Sequence, residues 1–222
     1  MSNKLVAYIG ILGVSLFASA AIIGPLLIEN YSVISQYISE SFASNTVYGW
    51  YLQYFGYVPS GILITSFCIS APKFLPTSKL IKAGLFGLAI FYGLGTITVG
   101  LFPCDAGCPT KIMHSSTAQL IHNAAASVTY IFLPICIIAI GLGLKKFESH
   151  RQLSQIALVT GIISAIFIFV LFSNPESGYR GLLQRIIETS FITFIIYIDK
   201  INSSLKIIRI NDVVFFIRIN IQ

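Results

Sequence analysis

Charge is what this sequence has least of. Of 222 residues, 10% are Asp, Glu, Lys or Arg, against about 25% in an ordinary soluble domain. That shortage excludes a soluble globule, because too few polar residues exist to coat one. The bilayer is left as the solvent for most of the chain. Histidine is scarce as well, with three residues, which starves any zinc site that would need about four ligands. Basic clusters interleaved with aromatics are missing, so the net charge of +6 is no nucleic-acid footprint and no nucleic-acid partner is expected. Through residue 200 the chain also lacks the short alternating segments, about ten residues each, of a membrane barrel strand.

Long apolar runs fill the space those absences leave. The chain is 55% hydrophobic with a mean hydropathy of +0.84. In hydrocarbon the backbone must satisfy its own hydrogen bonds, and runs of this length do so as helices. The expected fold is therefore all-α, an integral membrane six-helix bundle. Its helices are placed at about 5–28, 49–71, 83–102, 116–144, 153–172 and 182–198. Residues 1–200 form this domain. Residues 201–222 form a cytoplasmic tail in which Ile208-Arg209-Ile210-Asn211 recurs as Ile217-Arg218-Ile219-Asn220. That alternation suits a strand or a segment on the membrane surface.

The first run also has features of a signal peptide, with Lys4 before it and Ala18-Ser19-Ala20 resembling a cleavage site. It continues through Ile28, and that length favours a retained spanning helix. Trp50, Tyr51, Tyr54 and Tyr57 open the second run as an interfacial aromatic belt, and Pro59 is placed to kink it. Gly84, Gly87, Gly93, Gly95 and Gly100 mark the third run as a close-packing helix.

Lys73, Lys79 and Lys82 sit around the second loop, and Lys145, Lys146 and Arg151 around the fourth. The first loop has no Lys or Arg, the third has Lys111 and the fifth Arg180. Cytoplasmic loops carry the Lys/Arg excess. Both termini are thus expected in the cytoplasm, with loops one, three and five outside.

Cys104 and Cys108 fall in the third loop, on the oxidising side, and a structural disulfide is the first reading. A free pair or metal ligation is the alternative. On the fourth helix Ser115, Gln119, His122, Ala126 and Thr129 share one face, with Tyr130 at its edge. A histidine within the membrane is costly unless paired and marks a site by default; a hydrogen bond that locks the bundle is the plainer role. Arg185 and Glu188 lie on one face of the sixth helix. Asp105, Gln119, His122, Arg185 and Glu188 are therefore expected to form one polar network near the outer leaflet, rimmed by Arg180 and Glu40. No catalytic residue, resident metal or cofactor is assigned.

At these residues the chain resembles the bacterial multi-span membrane proteins grouped as domain of unknown function 998. The resemblance rests on Ser35-Gln36-Tyr37-Ile38-Ser39-Glu40, Gly100-Leu101-Phe102-Pro103-Cys104-Asp105, His122-Asn123-Ala124-Ala125 and Gly181-Leu182-Leu183-Gln184-Arg185. It spans about residues 5–200. It implies a six-helix bundle with an outward-facing polar motif in a bacterial inner membrane, and no established activity.

Three functions follow as expectations. The first is a pocket that binds or moves a lipid headgroup or small amphiphile. The second is a metal-assisted hydrolase using Asp105, His114 and His122. The third is a structural or assembly component without a ligand. Membrane lipids are the expected partners; a second copy of the chain or another membrane protein is left open.

Overall fold

The computed structural model describes residues 2–110 and 115–198. Among them the regular structure is helical throughout, with no strand. Six helices are long and apolar enough to cross a membrane: α1 (Lys4–Leu26), α2 (Gly49–Lys73), α3 (Lys79–Leu101), α4 (Thr117–Leu144), α5 (Glu148–Ser173) and α6 (Arg180–Ile198). The six runs read from the sequence are thus six helices, with ends shifted by a few residues. His114 and the 201–222 tail lie outside the described residues.

Local chemistry sets several helix ends. The Ser2 hydroxyl accepts from the Leu5 N–H at 3.3 Å at the start of α1. The Ser116 hydroxyl accepts from the Gln119 N–H at 3.1 Å at the start of α4. Both satisfy amide groups that a helix leaves without partners in its first turn.

In the bundle α4 packs against both α3 and α5, and α2 packs against both α1 and α3. Helix α6 meets α3 and α4, with Phe191 edge-on to Tyr92 and tilted against Tyr130. Gly84 and Gly87 let α3 lie close on α4. A Cβ on Gly84 would sit 2.7 Å from the Cys136 carbonyl oxygen, and one on Gly87 would strike the Cys136 thiol. Large apolar side chains such as Leu26, Phe55 and Phe169 cover the outside, the surface a bilayer solvates.

Two helices are not regular. A π-helical turn occupies Gln53–Tyr57 in α2 and another Ala89–Leu94 in α3. Each widens the helix locally and changes the phase of the residues on either side. The expected aromatic belt therefore divides. Trp50, Tyr51 and Tyr54 are exposed, whereas Tyr57, inside the π turn, is buried. Pro59 follows that turn, in the first residues of the next α-helical stretch.

The loops of residues 27–48, 102–110 and 174–179 share one end of the bundle, and the short connections of residues 74–78 and 145–147 share the other. If the cations set the sidedness, a membrane-impermeant maleimide labels Val33→Cys in intact cells and Ser149→Cys only after lysis. The reverse pattern would invert the topology. Gly87→Leu should lower stability by about 1–3 kcal/mol through overpacking, read as a drop in thermal unfolding temperature.

Candidate functional site

The first loop folds down onto the start of α6. Its centre is a short 3-10 turn at Ile38–Phe42, and Glu40 starts it by accepting from the Tyr37 N–H at 2.9 Å. Arg185 grips the preceding backbone. Its Nη1 donates to the carbonyls of Val33 at 2.8 Å, Gln36 at 3.0 Å and Gly181 at 3.0 Å; its Nη2 donates to the Tyr31 hydroxyl at 3.2 Å. Tyr31 in turn donates to the Tyr37 carbonyl at 2.5 Å. Gly181 permits this contact, because a Cβ there would collide with the carbonyl oxygens of Gln36 and Val33.

Arg180 completes the joint. It pairs with Glu40 at 3.0 Å, donates to the Ser35 carbonyl at 3.0 Å and lies 4.8 Å from the centre of the Tyr37 ring. Burial raises the Tyr31 and Tyr37 phenols above the usual tyrosine range, so both are neutral donors at physiological pH. Tyr37 also reaches across to the Pro175 carbonyl at 3.0 Å.

The third loop docks beside it. Cys104 and Cys108 are joined by a disulfide, and both pack against Ser39. The Ser44 N–H donates to the Cys104 carbonyl at 2.8 Å. Gly107 and Cys108 both take positive φ, 76° and 44°, to close the turn. Gln119, fully buried, ties this loop to α4. Its Oε1 accepts from the Asp105 N–H at 2.6 Å, and its Nε2 donates to the Pro109 carbonyl at 3.1 Å and the Asn123 carbonyl oxygen at 2.8 Å.

Asp105 itself turns outward and accepts from the Ser116 N–H at 2.9 Å. That N–H, and second the Ser116 hydroxyl, hold its carboxyl below the usual carboxylate range. The contact is therefore intact at neutral pH and is released as pH falls through that lowered value.

Behind these loops lies a cavity of two chambers. The outer one, about 430 Å³, is lined by Tyr37, Thr110, Asn123, Ser127 and Phe172 among others. The inner one, about 60 Å³, reaches Phe17, Phe42, Tyr57, Tyr92 and Glu188. Ser39, His122, Ala126, Tyr130 and Gln184 line both, so the two chambers adjoin along these side chains. The Glu188 carboxylate is buried and accepts from the Tyr92 hydroxyl at 3.1 Å and the Tyr130 hydroxyl at 2.8 Å. His122 Nδ1 lies 2.9 Å from the Phe102 carbonyl. A carbonyl oxygen only accepts, so that nitrogen carries the proton.

The single network expected of Asp105, Gln119, His122, Arg185 and Glu188 is thus divided into three. Arg185, Arg180 and Glu40 hold the first loop. Asp105 and Gln119 hold the third. His122 and Glu188 line the cavity. Arg185 and Glu188 begin on one helix three residues apart, but Arg185 reaches up to the loop carbonyls while Glu188 points into the bundle. The cavity also uses residues that the polar stripe did not single out as site residues, chiefly Tyr57 and Tyr92. Their signal in the sequence was a buried-helix glutamate in need of donors. Among the described residues, no three His, Cys, Asp or Glu side chains converge to hold a metal.

A family model described as a protein of unknown function, DUF998, matches residues 11–198. No curated protein and no solved structure matches the chain. Arg185→Ala removes a charged donor from three carbonyls and should cost about 1.5–3 kcal/mol. It should also open the first loop, seen as faster proteolysis between residues 27 and 48 of the folded protein. Unchanged stability and cleavage would show that the grip is dispensable.

Proposed function

The chain belongs to the DUF998 family, whose description carries no activity, and on that footing we propose that this multi-pass membrane protein binds or moves a lipid headgroup or small amphiphile. The site is the two-chambered cavity at the loop end of the bundle. The observation that carries this reading is the outer chamber, whose volume of about 430 Å³ lies within the range of small-molecule sites. Its walls are mixed in a way that suits an amphiphile. Leu171, Phe172 and Ala126 offer apolar surface; Tyr37, Asn123, Ser127 and His122 offer hydrogen-bonding groups.

The position supports the same reading. The cavity lies between helices whose outer surfaces face lipid, beneath loops fixed by hydrogen bonds and a disulfide. Residues that hold those loops act as positioning residues. Gln119 has both amide groups occupied and Arg185 is committed to backbone carbonyls, so neither serves as a direct ligand group. His122 and Glu188 remain from the set read in the sequence, and Tyr130 and Gln184 join them.

A single-chain twelve-carbon alcohol bearing an alkyl diazirine tests this on the full chain in nanodiscs. Illumination should place adducts on residues lining the outer chamber, among them Ser127, Tyr130 and Leu171, mapped by peptide mass. Ala126 lines both chambers, and Ala126→Trp fills space in them. It should reduce those adducts about tenfold, the equivalent of about 1.4 kcal/mol of binding, and leave adducts on the lipid-facing surface unchanged. Equal labelling of cavity and outer surface in both proteins would overturn the proposal.

A further inference from the structure

The inner chamber carries a chemical preference that the outer one does not. Its volume of about 60 Å³ is room for about two water-sized groups, too small for an acyl chain and suited to a compact head. Its one charged side chain is Glu188, whose two oxygens accept from Tyr92 and Tyr130. Those hydroxyls are neutral and bring no opposing charge to the carboxyl group. The two ion pairs among the described residues both use Arg180, not Glu188. Arg185, the nearest cation along α6, spends its donors on the carbonyls of Val33, Gln36 and Gly181 and on the Tyr31 hydroxyl. A carboxylate inside a membrane bundle is expensive without a partner and marks a functional position by default.

Two further observations point to what that partner is. Aromatic side chains line the chamber and pack on one another: Phe42 and Tyr57 lie 4.4 Å apart between centroids, Phe17 and Tyr57 5.3 Å, and Phe17 and Tyr92 6.0 Å. Several aromatic faces around one small space form the arrangement that recognises ammonium groups. The Tyr57 hydroxyl, on a residue 1% exposed, is buried without a hydrogen-bond partner. The Ser41 hydroxyl lies beside it and donates to the Ile38 carbonyl at 2.7 Å. Tyr57 contributes to the lining of the same chamber. An anionic head would meet the Glu188 oxygens and is excluded by repulsion.

We infer that the inner chamber binds the alkylammonium head of the amphiphile, with Glu188 as its counter-ion and the rings of Phe17, Phe42 and Tyr57 as its walls. This rests on the reading that the cavity takes an amphiphile. The chain of the ligand occupies the outer chamber, and the head sits beside Glu188 beyond the shared lining of His122 and Ala126.

The test uses the diazirine alcohol as reporter, with octylammonium, octan-1-ol and octanoate as competitors at neutral pH. The three share one chain and differ in head charge. Octylammonium should block cavity labelling at a concentration about tenfold or more below that of octan-1-ol, a difference of about 1.4 kcal/mol. Octanoate should compete no better than the alcohol. Glu188→Gln keeps the size of the side chain and one acceptor oxygen while removing the charge. It should abolish the ammonium advantage while leaving competition by octan-1-ol unchanged.

If Glu188→Gln does not fold, Phe42→Leu removes one ring and should reduce the same advantage. The preference of the unmodified protein decides the matter independently of either variant. Labelling blocked equally by all three competitors keeps the amphiphile reading and overturns the ammonium site. Preference for octanoate also overturns it. Absence of cavity labelling by the diazirine alcohol overturns both.

Discussion

One guanidinium holds the loop end of this bundle together. Arg185 gathers three carbonyl oxygens, two from the first loop and one from its own helix, and a phenol besides. Carbonyl groups at the end of a membrane helix and in a polar loop need donors wherever water is excluded. A planar group with five N–H donors can serve several of them at once, where a lysine would serve them as a point charge. Because the first loop is fixed there, its residues Tyr37, Ser39, Ile38 and Phe42 become walls of the cavity rather than a solvated linker. The Gln184 carbonyl oxygen strengthens the joint by accepting from the Ile38 N–H at 2.6 Å. The shape of the cavity is thus a consequence of where loop one is held.

The polar groups of the loop end divide by whether their capacity is used. Gln119, Arg185, Arg180 and Glu40 are occupied by partners within the protein, and their chemistry is spent on geometry. Glu188 and Tyr57 are different. Glu188 is given neutral donors but no opposing charge, and Tyr57 lines the chamber beside it. A fully satisfied polar network rigidifies a bundle; a partly satisfied one is costly unless something completes it. That contrast, within a few ångströms, separates the frame of the site from the surface that meets a ligand.

Much of the architecture was legible because membrane solvation imposes strong rules. Long apolar runs without charge could only be helices, and the glycines of α3 read correctly as close-packing positions, with Gly84, Gly87 and Gly95 against α4 and Gly93 and Gly100 against α2. The candidate site was legible only in part. His122 and Glu188 stand out as polar groups in apolar helices, and both line the cavity. Arg185 stands out by the same rule, yet it is long enough to reach the loop, so its helical face did not determine its partners. Asp105 and Gln119 carry a motif whose role is to fasten a turn, a distinction that spacing does not encode. Tyr57 and Tyr92 were hidden for another reason. Each lies in a π turn, where the regular advance of about 100° per residue fails. Tyr57 was grouped with the interfacial aromatics beside it, and Tyr92 was not singled out in its glycine-rich helix.

Those π turns divide α2 and α3 into two angular registers along their length. In α3 the stretch before the turn uses its small residues to seat α4. The turn itself delivers Tyr92 to the carboxylate, and in α2 the equivalent widening delivers Tyr57. Each helix therefore has a seam at which a single inserted residue is already accommodated. Loss of one residue at such a seam would restore a regular helix, rotate one half against the other by about a quarter turn, and turn the tyrosine away. In these two helices chain length, as much as side-chain chemistry, encodes the wall of the inner chamber.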